Sequence, residues 1–325
     1  MSEAILRRIF AFNGDADGLC ALQQLWLCAD DRRFDLVTGP KRDTKLVARV
    51  AASEGDEVTV LDVSFDSNRE AVMRLLQAGA RVRYFDHHHA GELPVHERLE
   101  AHIDLSPAVC TSAIVDRWLG GRARAWAAVG AFGDNLMSTG RALAGQAGIA
   151  GGDVPTLERL GMLLNYNSYG EAEADLYFPP AQLHRRLAPY RDPLAFARED
   201  EAYARLSAGF EDDMRRATSL APAAHAASAA LYVLPDASWA RRVSGVVANE
   251  LARGAPSRAH AVLSPNSAGG MQVSVRAPLE RPRGAAALCL SYPGGGGREA
   301  AAGINHLPLE EVPRFTERFL AHFSA

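Results

Sequence analysis

The chain has 325 residues, with 35 Lys and Arg against 39 Asp and Glu, and a formal net charge of −4. At about 100–200 residues per domain, this length predicts two domains. The apolar fraction of 48% and the charged fraction of 23% are typical of a globular protein and exclude disorder as the dominant state. The near balance of charge disfavours general binding to duplex nucleic acid, which needs a basic patch or bound cations.

The first residues of the chain do not have the pattern of a secretion signal. They lack a long apolar stretch followed by small residues, and no run of about 18 uncharged apolar residues occurs further on. We therefore expect a cytoplasmic protein that does not enter a membrane.

The first hundred residues contain four short β-rich runs separated by helix-length segments. The runs are Ile9–Phe12, Phe34–Thr38, Val58–Leu61 and Val82–Phe85. Strands that alternate with helices predict right-handed βαβ units and an open, mostly parallel sheet. We assign this α/β domain to residues 1–190.

The second half predicts a helical connector and a smaller domain. The pattern from about Leu157 to Ser219 is helical and polar, and we place the connector at residues 191–225. A helical pattern at Val243–Arg253 then lies among β-like runs, which are Leu231–Leu234, Ala261–Ser264 and Met271–Arg276. This alternation predicts a smaller α/β domain over residues 226–325, with a Gly-rich loop at Gly294–Gly297.

Acidic residues follow three of the four amino-terminal strands. Asp15 and Asp17 follow the first strand, Asp62 the third and Asp86 the fourth. Because the carboxyl ends of strands line the ligand crevice of an open α/β sheet, we expect these acids to converge at one edge. For Asp15, Asp17 and Asp62, capping of the next helix is the alternative role.

The run Asp86-His87-His88-His89 combines an acid with three imidazoles at a strand end. Such a run can supply a metal ligand, a carboxylate that fixes its tautomer, and a histidine that faces a substrate. A neutral surface loop is the alternative, and we favour the functional interpretation.

Asp134 ends the apolar helix predicted at Ala125–Phe132. An acid at a helix carboxyl terminus opposes the helix dipole, which favours a nearby cation. Several carboxylates in one crevice also raise each other's pKa, and divalent cations relieve this conflict. A donor set of carboxylates and imidazole without thiolates suits Mn²⁺ or Mg²⁺.

Five segments, in order along most of the chain, resemble the signature motifs of the DHH superfamily of phosphoesterases, which includes RecJ exonucleases, nanoRNases, cyclic-dinucleotide phosphodiesterases and exopolyphosphatases. The segments are Asn13–Gly18, Asp62, Asp86-His87-His88, Gly133-Asp134, and Gly295–Gly303, which is similar to the signature of the family's associated carboxyl-terminal domain. None of these segments is specific alone, whereas their order makes the resemblance strong.

The resemblance implies a two-Mn²⁺ centre, with Mg²⁺ as the alternative ion. The implied metal ligands are Asp15, Asp17, Asp62, His87 and Asp134, with Asp62 bridging the ions. Two ions of this kind activate water and stabilise the leaving oxygen of a phosphate ester. The resemblance further implies that Asp86 and His88 are catalytic residues and that His88 contacts the scissile phosphate. The active site would lie in the cleft between the two domains.

We expect substrate contacts from both domains. In the carboxyl-terminal domain, Gly295, Gly296 and Gly297 offer backbone amides to a phosphate. Arg298 stands where the family signature has a histidine, and its guanidinium can bind phosphate bidentately. Lys41, Arg42 and Arg276 follow strands and are further candidates, with solvated surface charge as the alternative.

Two other features bear on the site. Ala11 stands where some members of the family have a histidine, and Asn13 where RecJ-like members often have an acid. The segment Asn165–Gly170 either lines the cleft or caps a helix, and we leave both open.

The leading functional prediction is a Mn²⁺-dependent phosphohydrolase that acts on a small phosphorylated substrate. Short oligoribonucleotides, linear dinucleotides and nucleoside bisphosphates suit two domains that hold one substrate. An inorganic polyphosphatase or pyrophosphatase is the first alternative, and a catalytically silent nucleotide-sensing module the second. We expect no duplex nucleic acid or membrane as partner, and leave a homodimer open.

Overall fold

The computed structural model describes residues 7–324. The first six residues, part of the amino-terminal segment considered above, and Ala325 lie outside the described residues. The chain divides into two compact units, Met1–Ser207 and Ala208–Ala325. This division falls within residues 191–225, for which the sequence predicts a connector. No helix between residues 7 and 324 combines the length and the apolar character needed to cross a bilayer.

The first unit is built on a five-stranded parallel sheet with the order β2-β1-β3-β4-β5. Its strands are β1 (Arg8–Asn13), β2 (Asp35–Gly39), β3 (Glu57–Leu61), β4 (Arg81–Asp86) and β5 (Leu99–Ile103). The predicted parallel α/β sheet is therefore confirmed. The sequence did not reveal β5, because this strand is partly exposed and its apolar residues alternate with Glu100 and His102, so that no apolar run marks it.

Helices alternate with these strands and then continue as a helical layer. The helices are α1 (Ala16–Cys28), α2 (Phe65–Gln77), α3 (Thr111–Trp118), α4 (Arg124–Gly133), α5 (Met137–Gln146), α6 (Val154–Ser168), α7 (Pro180–Leu187), α8 (Pro193–Glu199) and α9 (Glu201–Thr218), which contains the boundary between the units. On one face of the sheet, apolar side chains of α2, among them Val72 and Leu76, pack against Val60 and Val82. Burial of such side chains supplies the main free energy of folding for this unit.

Close packing of small residues fixes α4 beside α1 and α6. A Cβ on Gly133 would collide with the methyl group of Ala16, and one on Gly161 would collide with the carbonyl oxygen of Val129. These glycines let the helix backbones approach each other more closely than larger residues would allow. The carboxyl end of α4 is thereby held near the amino-terminal end of α1.

The second unit contains a six-stranded mixed sheet with the order β10-β11-β9-β8-β7-β6. Its strands are β6 (Ala224–His225), β7 (Ala229–Val233), β8 (Ala259–Pro265), β9 (Met271–Arg276), β10 (Gly295–Arg298) and β11 (Ala301–Leu307). Its further helices are α10 (Ser238–Gly254), α11 (Ala285–Leu290) and α12 (Val312–His322). The core combines Val273 and Val275 of the sheet with Phe315 and Phe319 of α12.

The Gly-rich segment differs from the predicted loop. Gly295, Gly296 and Gly297 belong to β10, which pairs antiparallel with β11. A Cβ on Gly295 would collide with the carbonyl oxygen of Cys289 at the end of α11. The glycines therefore allow a strand to pass close to a helix end, which composition alone does not distinguish from a loop.

Candidate metal centre

The carboxyl ends of β1, β3 and β4 bring acidic and imidazole side chains to one edge of the parallel sheet. His87 Nε2 lies 3.4 Å from Asp62 Oδ1 and 3.8 Å from Asp134 Oδ2. Asp17, His87 and Asp134 each offer a ligand atom, and these atoms all lie within 4.8 Å of one another. Asp62, His87 and His88 form a second group that meets the same limit. The two groups share His87 and are candidate metal sites.

Asp62 adopts an uncommon backbone conformation to reach this edge. Its φ of 57° lies in the left-handed region, which few residues other than glycine occupy. The backbone N–H of Asp62 donates to the carbonyl oxygen of Phe85 at 3.0 Å, and Thr111 Oγ1 donates to Asp62 Oδ1 at 3.2 Å. Strained residues of this kind concentrate at functional sites.

The amino terminus of α3 holds the carboxylate of Asp17. The backbone N–H groups of Thr111 and Ser112 donate to Asp17 Oδ2 and Oδ1, both at 2.7 Å. The first amides of a helix have no partner within it and carry partial positive charge, so they orient a carboxylate well. Sequence reasoning missed both residues. Their signal was only the start of a helical pattern after Cys110.

Hydrogen bonds also orient the two histidines. His87 Nδ1 lies 3.1 Å from the carbonyl oxygen of Val109, so Nδ1 carries the proton and Nε2 presents a lone pair to the carboxylates. His88 Nδ1 lies 2.7 Å from Asp86 Oδ1. Asp86 is fully buried, and its Oδ2 has no hydrogen-bond partner among the described residues. His89 is exposed.

Asp15 caps α1 and binds a lysine at the same time. Its Oδ1 accepts from the backbone N–H groups of Asp17 and Gly18, both at 3.1 Å. Its Oδ2 accepts from Lys41 Nζ at 2.6 Å, and Lys41 also donates to Asn165 Oδ1 at 3.2 Å. The capping interpretation of Asp15 therefore holds together with its position beside the centre.

The electrostatics of the centre reflect an excess of negative charge. Burial, together with the charges of Asp15 and Asp17, raises the pKa of Asp62 well above its usual range. Burial and the same two carboxylates raise the pKa of Asp134 to about 6. Burial would also raise the pKa of Asp15, but the Lys41 ammonium lowers it to about 2. One lysine does not compensate the whole cluster.

This donor set fits a hard divalent cation. The carboxylates and the free Nε2 of His87 are oxygen and nitrogen donors, and no thiolate belongs to either candidate group within the described part of the chain. Such a set favours Mn²⁺ or Mg²⁺ over structural zinc. A bound cation would also offset the repulsion that raises the pKa of Asp62 and Asp134.

Comparison with known proteins places this geometry in a known fold. No family model and no curated protein sequence matches the chain. Among solved structures, an exonuclease RecJ bound to manganese matches with a TM-score of 0.55 and 19% identity, over 98% of this chain and 90% of that chain. The chain has the DHH fold. The DHH domain of a protein described as a member of a ribosomal protein family matches with a TM-score of 0.60 and 14% identity, over 97% of this chain and 86% of that chain.

A third structure matches this chain over nearly the full length of both proteins. A pGpG-specific phosphodiesterase from Vibrio cholerae has a TM-score of 0.51 and 15% identity, over 98% of this chain and 99% of that chain. The fold implied by the sequence resemblance is thus confirmed, and it includes both units.

Of the other predicted residues, Arg42 belongs to the first unit, and Arg276, Arg298 and Gly295–Gly297 belong to the second. Arg42 pairs with Glu171 at 2.5 Å. Arg276, at the end of β9, donates through Nε to Asn249 Oδ1 at 2.6 Å. Arg298 is exposed at the end of β10. Ala301 of β11 pairs with both Arg276 and Arg298, so the two arginines lie in one row of the second sheet.

Proposed function

We propose that this chain is a metal-dependent phosphoester hydrolase of the DHH superfamily. The observation that carries the proposal is the convergence of Asp17, Asp62 and Asp134 on the free Nε2 of His87. A divalent cation held by this set can activate water and stabilise the leaving oxygen of a phosphate ester. The fold shared with a manganese-bound RecJ supports the proposal.

Different residues at this edge of the sheet would hold the metal ion and contact the phosphate. A divalent cation, held by Asp17, Asp62, His87 and Asp134, supplies Lewis-acid activation of water and of the phosphate. The hydrogen bond that His88 Nδ1 donates to Asp86 raises the pKa of His88, which favours its protonated form. A protonated His88, with 45% of its side chain exposed, can donate to a phosphate oxygen. Buried Asp86 keeps this ring oriented.

For substrate, we propose a small phosphorylated molecule such as a short oligoribonucleotide, a linear dinucleotide or a nucleoside bisphosphate, with Mn²⁺ as the preferred ion. The fold match to a pGpG-specific phosphodiesterase supports a dinucleotide-sized substrate. The formal net charge of −4 argues against duplex nucleic acid. Arg276, Arg298 and the backbone amides of Gly295–Gly297 are proposed to bind a phosphate of the substrate.

An inorganic polyphosphatase or pyrophosphatase is the second candidate. The observation in its favour is the row of Arg276 and Arg298 in the second sheet, because two guanidinium groups suit a substrate made only of phosphate. The two candidates differ in one property. An enzyme that acts on nucleotides can distinguish substrates by their bases, whereas an enzyme that acts on inorganic phosphates cannot.

The test is a hydrolysis panel with metal-free protein reconstituted with Mn²⁺ or Mg²⁺. It compares pGpG, short oligoribonucleotides, nucleoside bisphosphates, polyphosphate and pyrophosphate. We expect turnover of one nucleotide class, loss of turnover with a chelator, and a loss of at least about 100-fold in Asp134→Asn. The matched control is Asp30→Asn, the same change at an exposed position. Binding of nucleotide without hydrolysis of any compound would support a silent nucleotide-sensing module instead.

A further inference from the structure

Lys41 extends into the carboxylate cluster from the loop after β2. Its Nζ lies 2.6 Å from Asp15 Oδ2, and 28% of the lysine side chain is exposed against 4% of the Asp15 side chain. An ammonium group so close to a buried carboxylate forms a strong, charge-assisted hydrogen bond. The negative charge of Asp15 is therefore already compensated by a group of the protein.

The end of α6 holds Lys41 in this position. The backbone N–H of Lys41 donates to the carbonyl oxygen of Ser168 at 3.0 Å, and its Nζ donates to Asn165 Oδ1 at 3.2 Å. The ammonium also lies 5.8 Å from the centre of the Tyr169 ring, a distance that favours cation–π attraction. Asn167, which exchanges hydrogen bonds of 2.8 and 3.1 Å with the backbone of Phe178, fixes this segment. The lysine is thus held by several contacts.

The surroundings of Asp15 offer few donors to a metal ion. Asp15 Oδ1 already accepts two backbone N–H groups, and Oδ2 accepts from Lys41. Asn13 Oδ1 accepts from the backbone N–H of Asp15 at 3.3 Å, and Ala11 has no donor atom. Within the described residues, Asp15 belongs to neither group of candidate ligands. The carboxylate that interacts directly with Asp15 is that of Asp62, which is already placed among the donors around His87.

The group that contains His88 is also less suited to an ion. The His88 nitrogen that lies 4.0 Å from Asp62 Oδ1 is Nδ1, which faces Asp86 Oδ1 at 2.7 Å. A hydrogen bond to Asp86 places a proton on this nitrogen, and a protonated nitrogen cannot ligate a metal. Of the two groups, that of Asp17, His87 and Asp134, with Asp62 beside it, is therefore the better candidate for a metal site.

We propose that the centre binds one divalent cation through Asp17, Asp62, His87 and Asp134, and that the Lys41 ammonium supplies the second positive charge beside Asp15. This inference rests on the proposed function for its phosphate substrate, and it replaces the two-ion centre that the sequence resemblance implies. A second ion on Asp15 would share an oxygen with the ammonium, and the two cations would repel each other strongly. Lys41 would stabilise negative charge on the phosphate without binding water as an ion does.

The test counts metal ions in the full chain without any substrate. Metal-free protein is dialysed against Mn²⁺, and bound manganese per chain is measured by elemental analysis. Electron paramagnetic resonance then distinguishes an isolated Mn²⁺ from an exchange-coupled pair. The variants are Lys41→Met, which removes the charge at similar length, and Lys41→Arg, which keeps it. Lys45→Met makes the same charge change at an exposed position four residues away and is the control.

We expect about one Mn²⁺ per chain and an uncoupled spectrum for the wild type, Lys41→Arg and Lys45→Met, and about two for Lys41→Met. Two coupled ions in the wild type would overturn the inference, and this result needs no variant to fold. A Lys41→Met protein that folds and still saturates at one ion would overturn it as well, because the lysine would then not exclude the second ion. Hydrolysis by a two-ion wild type would leave the proposed function intact, whereas absence of any bound Mn²⁺ would contradict that function itself.

Discussion

Asp62 and His87 meet at 3.4 Å, between Oδ1 and Nε2, across the carboxyl ends of two neighbouring parallel strands. Asp62 follows β3 with a left-handed backbone, and His87 follows β4 with its Nδ1 bound to the carbonyl oxygen of Val109. Each residue is thus held at the sheet edge by its own backbone contacts. Such orientation of metal ligands by neighbouring groups is what an efficient metal centre requires.

Asp62→Asn tests whether this pair binds metal. Asparagine tolerates the left-handed backbone at this position and matches the protonated acid that burial favours. We expect the metal-free variant to be as stable as the wild type or more stable, and to lose most of the Mn²⁺-induced rise in Tm. For the wild type, Mn²⁺ at about 100 times its Kd should add about 2.7 kcal/mol to the free energy of unfolding.

Thermal unfolding with and without Mn²⁺ provides the measurement. The control is again Asp30→Asn, which should keep the full Mn²⁺-induced rise in Tm. A full shift in Asp62→Asn would remove this carboxylate from the metal site.

Gly130→Ala tests the packing that positions Asp17. A Cβ on Gly130 would collide with Ser112 Oγ and lie 3.2 Å from Asp17 Oδ1, so it would disturb the amides that hold this carboxylate. We expect a loss of about 1–3 kcal/mol in the free energy of unfolding, typical of overpacking, and weaker Mn²⁺ binding. Denaturant unfolding and Mn²⁺ titration measure the two effects.

Gly145→Ala is the matched control for this substitution. Gly145 lies in α5, and no described atom comes within 4 Å of the position of an added Cβ. Alanine there should stabilise the helix by up to about 1 kcal/mol and leave Mn²⁺ binding unchanged. Equal destabilisation by both alanines would mean that Gly130 has no special role in packing.

Much of the fold and of the carboxylate cluster could be predicted because the ends of buried strands can be recognised in the sequence. Asp62 and Asp86 follow apolar runs, and parallel pairing carries their positions to one edge whatever the intervening sequence. By contrast, the donors of Thr111 and Ser112 that hold Asp17 are backbone N–H groups, and the residue type does not reveal where such groups will act.

Long-range partners and glycine conformation were beyond sequence reasoning. The sequence places Lys41 as a cation near a strand end, but its partner Asn165 lies 124 residues further along the chain. Its contact with Asp15 depends on how α6 ends, which a single sequence does not specify. A Gly-rich run such as Gly295–Gly297 predicts a loop, whereas the close packing of this segment against α11 accounts for glycine in strand β10.

His184 should make the protein sensitive to acid. This histidine is buried beside Trp26, with ring centres 5.3 Å apart, and its Nε2 has no hydrogen-bond partner within the residues described. Burial, assisted by the charge of Arg185, lowers the pKa of His184 to about 4. The unfolded chain, with an ordinary histidine pKa of about 6.5, binds more protons between these values. Stability is therefore full above about pH 6.5 and is lost as the pH falls towards 4.

Replacement of His184 by phenylalanine should flatten this dependence. His184 should account for roughly 3 kcal/mol of the free energy of unfolding that is lost between about pH 6.5 and pH 4. In His184→Phe, the loss over this pH range should be smaller by about that amount. Urea unfolding, followed by tryptophan fluorescence at several pH values, measures the slope. His225→Phe at an exposed site should leave it unchanged. An unaltered slope in His184→Phe would show that other groups cause the acid sensitivity.

Arg298→Ala should weaken substrate binding more than it slows the saturated reaction. Arg298 is exposed at the end of β10, in the same row as Arg276, and a guanidinium there can bind a phosphate that does not react. Loss of such a contact removes binding equally from the ground state and the transition state, so KM rises and kcat is kept. We expect a KM about 10-fold higher, the effect of roughly 1.4 kcal/mol. The control is Arg253→Ala, which removes an exposed arginine that pairs with Glu250 in α10. A fall in kcat at unchanged KM would instead mean that Arg298 acts on the reacting phosphate, and no change in either constant would remove it from the substrate site.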